Sequence, residues 1–215
     1  MRGINVRGLY AIVDPASCLG RDPAAVARAA LAGGARVVQW RDKTRDKGDQ
    51  LPDLRRIAVA CREHGVPLIV NDHIDLALAV DAAGVHLGQR DLPLVAARRI
   101  APQLEFGVST NTVEEARRAE AEGADYVAVG AIFATGSKET TRPASIERLR
   151  AVKAAVRVPV VAIGGIGAAN IGEVVAAGAD AVAVISAVCG ADDVCAAAAE
   201  LAAAFSARTD KGAGF

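Results

Sequence analysis

Apolar residues cluster along the chain in short runs separated by longer amphipathic stretches. The runs, rich in Val, Ile and Leu, fall at Leu9–Val13, Arg36–Trp40, Pro67–Val70, Gly84–Leu87, Glu105–Val108, Tyr126–Ile132, Pro159–Ile163 and Ala181–Ile185. They are nearly continuous rather than alternating, the pattern of strands buried on both faces of a parallel sheet. Helical stretches lie between them at Asp22–Ala32, Asp49–His64, Ile74–Ala82, Leu94–Ile100, Thr112–Glu122, Ile146–Ala155, Ala169–Ala177 and Asp192–Ala207. In the second of these, Leu51, Leu54, Ile57, Ala58 and Cys61 form one stripe at helical spacing.

This alternation predicts consecutive βαβ units. Gly34-Ala35, Gly65-Val66, Gly84-Val85, Gly123-Ala124 and Gly178-Ala179 mark the helix-to-strand junctions. A glycine just past a helix supplies the left-handed position that other residues resist, so each pair is read as a helix stop. Asn111-Thr112 before Glu114-Glu115 reads as a helix start, with an oxygen to accept from the first amides and acids to favour the dipole. The fold expected is an α/β class, single-domain (β/α)8 TIM barrel over residues 1–207, with 208–215 as an aperiodic, disordered tail. An open doubly wound sheet is the alternative. It is disfavoured because no GxGxxG turn follows the first strand, whereas Gly164-Gly165-Ile166-Gly167 follows the seventh, where barrels often bind phosphate.

Composition narrows the function classes. At 215 residues the chain suits one barrel and leaves no room for a second domain. The 25 basic and 25 acidic residues cancel, which argues against a nucleic-acid or membrane surface and makes any anion site local. Cys18, Cys61, Cys189 and Cys195 show no CxxC and no His at zinc-ligand spacing, so they read as reduced thiols of a cytoplasmic protein. The apolar run Leu9–Val13 is too short for a secretory segment, and Glu173 and Asp180 interrupt the Ala/Val-rich stretch from Val158 to Ala191. A soluble protein is expected, with its oligomeric state, monomer or homo-oligomer, left open.

The strand ends carry the chemistry, because in such a barrel the C-terminal ends and βα loops converge on one face. Asn71-Asp72 and Gln89-Arg90-Asp91 end the third and fourth strands, which places Asp72 and Asp91 side by side. Paired hard oxygen ligands beside cations suit Mg²⁺, which binds one or two carboxylates and substrate phosphates. The alternative is that each acid caps the helix that follows. Arg41 and Lys43 share one side of an extended segment, and Lys138 follows Thr135 and Ser137 on the sixth βα loop, together a polyphosphate cradle. The charged run from Arg41 to Lys47, taken alone, also fits a solvated loop. Gly164-Gly165 and Ile185-Ser186, on adjacent strands, offer amides for a monophosphate. His64 ends a helix and reads as a dipole or surface residue, and His86 lies within a strand and reads as packed or structural; the roles of His73 and Trp40 are left open.

Taken in order, these segments resemble the thiamine-phosphate synthase family over nearly the whole chain. The match runs from Gln39-Trp40-Arg41-Asp42-Lys43, similar to a Q-x-R-x-K segment, through Asn71-Asp72, Val85 to Asp91, Gly107-Val108-Ser109, Gly130 to Lys138 and Ala162 to Ile166, to Ile185-Ser186. Ser137 stands where the family more often has a second Thr, and Ala134 where it often has Pro. The resemblance implies a (β/α)8 barrel and a transferase that joins a pyrimidine diphosphate to a thiazole phosphate, releasing pyrophosphate. It implies Mg²⁺ on Asp72 and Asp91, and the diphosphate on Arg41, Lys43, Asn71, Ser109 and Lys138. Gln39 would contact the same substrate, and Thr135, Ser137, Gly165, Ile185 and Ser186 would hold the thiazole phosphate. Catalysis would rest on Lys138, Arg41, Lys43 and Ser109. Two other readings share the fold: a thiazole tautomerase, and a noncatalytic barrel that binds a phosphorylated ligand.

Overall fold

The computed structural model describes residues 4–134 and 144–212, with side chains to residue 207. Its strands are β1 (Gly8–Val13), β2 (Val37–Trp40), β3 (Leu68–Asn71), β4 (Gly84–Leu87), β5 (Glu105–Thr110), β6 (Tyr126–Val129), β7 (Val160–Ile163) and β8 (Ala181–Val184). They pair in sequence order, all parallel, and β8 closes onto β1 to complete a barrel. The alternative of an open sheet is thereby removed.

Helices cover the outside: α1 (Pro23–Ala32), α2 (Lys47–Glu63), α3 (Ile74–Ala79), α4 (Leu94–Ile100), α5 (Val113–Ala121), α6 (Ile146–Ala155), α7 (Ile171–Ala176), α8 (Ser186–Cys189) and α9 (Val194–Gly212). Their starts follow local chemistry. Asp22 accepts from Ala24 N ahead of Pro23, Thr112 from Glu115 N and Ser145 from Arg148 N, each satisfying an orphan amide.

Strand pleating splits the core in two. Outward residues such as Trp40, Val70, Leu87, Phe106 and Val127 pack under the helices, while Tyr10, Ile12, Ile69, Tyr126 and Val161 fill the barrel interior. This two-sided burial is why the strands read as continuous apolar runs. Trp40 belongs to the outer layer, its indole Nε1 donating to Gln50 Oε1 at 3.0 Å.

Three expectations change. Gly34, Gly65, Gly123 and Gly178 do take positive φ after their helices, but Gly84 does not. It sits inside β4, where an added Cβ would collide with the Glu105 carbonyl, so close strand approach is its reason; Asp81 takes the positive φ after α3. The short α8, absent from the sequence reading, follows β8 directly and contains Ser186. Finally, the last helix continues past Ala207 to Gly212, so the segment read as an aperiodic tail is helical as far as the structure describes it; residues 213–215 lie outside the described residues. No described helix is long and apolar enough to cross a membrane.

Candidate active site

A cavity of about 1050 Å³ opens at the C-terminal mouth of the barrel. That is the upper end of the range for small-molecule sites. Arg41, Lys43, Asn71, Asp72, Asp91, Ser109, Gly165, Ile185 and Ser186 all line it, so residues spread over most of the chain meet at one place. Thr135, Ser137 and Lys138 lie outside the described residues.

The segment after β2 sorts its charges by alternation. Arg41 and Lys43 turn towards the cavity, whereas Asp42 is buried and accepts from Thr44 N, Thr44 Oγ1 and Arg45 Nε. Burial pushes the Asp42 carboxyl up, but these bonds outweigh it and hold the group below the usual range. The charged run is therefore half scaffold and half site. Arg41 is itself anchored: its guanidinium pairs with Asp14, the residue just past β1, and both side chains are largely buried. A guanidinium has five donors, so the pair fixes its direction without consuming it. Asp14 was not among the residues singled out in the sequence; only strand adjacency, not spacing, brings it to Arg41.

Lys43 reaches across β3 to Asp72. Neither Asp72 nor Asp91 caps a helix: the cap positions of α3 and α4 are His73 and Pro93, without a side-chain bond. Asp72 holds a left-handed φ of 61°, a conformation uncommon for non-glycine residues and more accessible to Asp than to most. Asp91 accepts from Gly88 N at 2.6 Å. The two carboxyls are close enough to perturb one another. Burial first, then the neighbouring Asp91, pushes Asp72 up despite Lys43; for Asp91, burial is outweighed by hydrogen bonds from Asp72 and the Gly88 amide, which hold it down. The two carboxyls are thus driven in opposite directions by one another, as happens where two acids face one centre. No group of three or more His, Cys, Asp or Glu suited to a metal occurs among the described residues. Two carboxylates, with water and phosphate to complete the shell, are a donor set that would fit Mg²⁺.

Across the mouth, Gly164 and Gly165 both have positive φ, 101° and 64°. A Cβ on Gly165 would stand 2.6 Å from Ala134 O and 2.8 Å from Phe133 Cβ. The glycine is thus required by the neighbouring loop after β6 and not, as the sequence suggested, only by a phosphate approaching its backbone. Asn170 straps the turn, accepting from Gly167 N and donating to Gly165 O at 2.8 Å. Ser186 is exposed and opens α8, whose first amides have no carbonyl partner within the helix.

Beneath the mouth lies a smaller cavity of about 20 Å³, lined by Tyr10, Gln39, Asn71, His86, Ser109 and Tyr126 among others. Gln39 belongs to this deeper layer and does not line the main cavity; its amide donates to Tyr10 Oη at 2.7 Å. His86, read from sequence as structural, faces inward and bonds Ser109 Oγ at 2.8 Å. His73 lines neither cavity.

A family model described as thiamine monophosphate synthase matches residues 9–188, nearly the whole barrel. The chain belongs to the thiamine monophosphate synthase family. Relatives named thiamine-phosphate synthase include one from Chloroflexus aurantiacus, 47% identical over 94% of each chain, and one from Moorella thermoacetica, 49% identical over 90% of this chain and 93% of its own. The solved structure of a thiamine phosphate pyrophosphorylase from Pyrococcus furiosus superposes with a TM-score of 0.88 at 40% identity, covering 94% of this chain and 97% of that one.

Proposed function

We propose that this family member is a Mg²⁺-dependent thiamine-phosphate synthase. It joins 4-amino-2-methyl-5-(diphosphooxymethyl)pyrimidine to 4-methyl-5-(2-phosphooxyethyl)thiazole and releases pyrophosphate, or to the carboxylated form of that thiazole with CO2 leaving as well. The observation that carries the reading is the division of one cavity. Arg41, Lys43, Asp72, Asp91 and Ser109 lie on its β2-to-β5 side, and the Gly164-Gly165 turn with Ser186 on its β7-to-β8 side. A diphosphate suits the first, rich in cations and acids; a monophosphate suits the second, built of backbone amides and a hydroxyl.

Asp72 and Asp91 would hold the Mg²⁺, which when bound supplies positive charge against the departing pyrophosphate. Arg41, aimed by Asp14, and Lys43 bind the diphosphate and stabilise the charge that grows as the bond to the methylene carbon breaks. Ser109 donates to the same group, and Lys138, on the loop after β6, is assigned to it by sequence position. The thiazole nitrogen is a neutral nucleophile with no proton to lose, so the reaction requires no general base. The cradle of cations and acids also sets this reading apart from a tautomerase, which would need a proton-shuttling group at the thiazole.

Product formation under chelation tests it. EDTA should abolish thiamine phosphate synthesis, Mg²⁺ should restore it, and Asp72→Ala or Asp91→Ala should remove most of it. Undiminished synthesis in EDTA, or full activity in both variants, would remove the acids and the metal from the mechanism.

A further inference from the structure

The barrel interior contains a continuous chain of polar side chains of which the reaction described above uses only the last member, Ser109. Gln39 Nε2 donates to Tyr10 Oη at 2.7 Å, and Tyr10 Oη meets Tyr126 Oη at 3.0 Å. Tyr126 Oη lies 3.2 Å from His86 Nδ1, and His86 Nε2 lies 2.8 Å from Ser109 Oγ. Four strands besides β4 contribute, and space is made for the chain: a Cβ on Gly107 would overlap the Tyr126 ring. Both tyrosines are fully buried, and burial is the main reason their hydroxyls are pushed well above the ordinary phenol range, so they remain protonated donors at any working pH.

Each hydroxyl has one proton, so the direction of the chain is set at one end. The Gln39 amide N–H donates to Tyr10 oxygen, which leaves the Tyr10 proton for Tyr126. Tyr126 in turn gives its own proton to His86 Nδ1. An imidazole that accepts at Nδ1 is the neutral form with hydrogen on Nε2, and that hydrogen points at Ser109 Oγ. Ser109 then accepts from His86, and its own hydrogen is left for the cavity. We propose that the Gln39–Tyr10–Tyr126–His86 chain is a positioning device that fixes His86 as the Nε2–H tautomer, so that Ser109 presents its hydroxyl as a donor to an anionic oxygen. The alternative polarity would have Ser109 donate inward to His86 and turn its lone pairs towards the substrate, repelling a phosphate. The assignment of Ser109 to the pyrimidine diphosphate rests on the proposed function; the tautomer does not.

Two measurements separate these layers. Nitrogen NMR of protein with ¹⁵N-labelled histidine, at a pH above the ordinary imidazole range and with His86 assigned by His64→Gln and His73→Gln variants, reads the tautomer directly. Only the Nε2–H form is expected in the wild type, and Tyr126→Phe should admit the Nδ1–H form. A predominant Nδ1–H signal in the wild type, or a tautomer untouched by Tyr126→Phe, overturns the proposal. In kinetics, His86→Gln keeps an amide N–H able to reach Ser109, whereas His86→Leu keeps only volume. His86→Leu should lose about tenfold in kcat/KM for the pyrimidine diphosphate, the worth of one hydrogen bond, with the KM for thiazole phosphate unmoved and His86→Gln close to wild type. Equal losses in the two variants would reduce His86 to a packing role. A wild-type protein with no synthase activity at all would defeat the functional reading while leaving the NMR result to decide the chain.

Discussion

Gly165→Ala is the smallest change that couples the fold to the mouth of the site. The glycine has φ of 64°, where an L-residue costs roughly 1–2 kcal/mol more than in its preferred regions. Its new methyl would stand 2.6 Å from Ala134 O and 3.0 Å from Phe133 C, both backbone atoms that cannot rotate away. Overpacking of this kind adds about 1–3 kcal/mol, so the total is roughly 2–5 kcal/mol. For a chain of this size that lowers Tm by about 4–20 °C, readable by circular dichroism against the wild type. Because the collision displaces the loop after β6, which continues into Thr135, Ser137 and Lys138, the KM values for both substrates should rise. The sequence alone suggests a selective effect on the thiazole phosphate; the contact with Phe133 and Ala134 removes that selectivity. A Tm within 2 °C of wild type (about 1 kcal/mol or less), or a rise confined to thiazole phosphate, would refute the reasoning.

Other expectations follow from the same geometry. Asp14→Ala strands the Arg41 guanidinium without its carboxylate in a site where both are largely buried, and should cost about 3–5 kcal/mol in urea denaturation, with Asp14→Asn milder; a loss under about 1 kcal/mol would show the pair to be dispensable. Glu105, at the start of β5, is pushed up to about 7 by burial and then by Asp125. The native state thus keeps a proton that the unfolded chain releases from about 4.5 upward. Stability from this group is full below that value and lost as pH rises through about 7, so the urea midpoint of Glu105→Gln should not share the wild-type decline across that window; parallel curves would contradict the assignment. Lys138→Ala should lower kcat by about 10²–10³ with a smaller change in KM, and an unchanged kcat with a raised KM would make Lys138 a ground-state binder only.

How much of this was legible in the sequence depends on the range of the interaction. Strands buried on both faces leave an apolar run that needs no partner to be recognised, and the glycine stops of α1, α2, α5 and α7 carry a local backbone signal. Gly84 mimics that signal, yet its cause is the backbone of β5, a contact between strands. Arg41, Lys43, Asp72, Asp91 and Ser109, which the structure brings to one cavity, stand out in the sequence because each lies at or shortly past the end of an apolar run. Asp14 ends one too, but as an isolated acid beside no other polar group it offers nothing until β1 is placed against β2. Tyr10, Tyr126 and His86 lie within apolar runs, where a polar-tipped residue looks like core; their link across the barrel spans 116 residues for the tyrosine pair. The four-residue α8 is too short to leave a periodicity.

The central claim is that one cavity holds both substrates and couples them with loss of pyrophosphate. The most direct measurement mixes the protein with pyrimidine diphosphate, thiazole phosphate and Mg²⁺ and follows pyrophosphate and thiamine phosphate together. Release of pyrophosphate in equal amount to thiamine phosphate, and only when both substrates are present, is the predicted result. Binding of thiazole phosphate without any pyrophosphate release, or its isomerisation in the absence of the pyrimidine, would contradict the account.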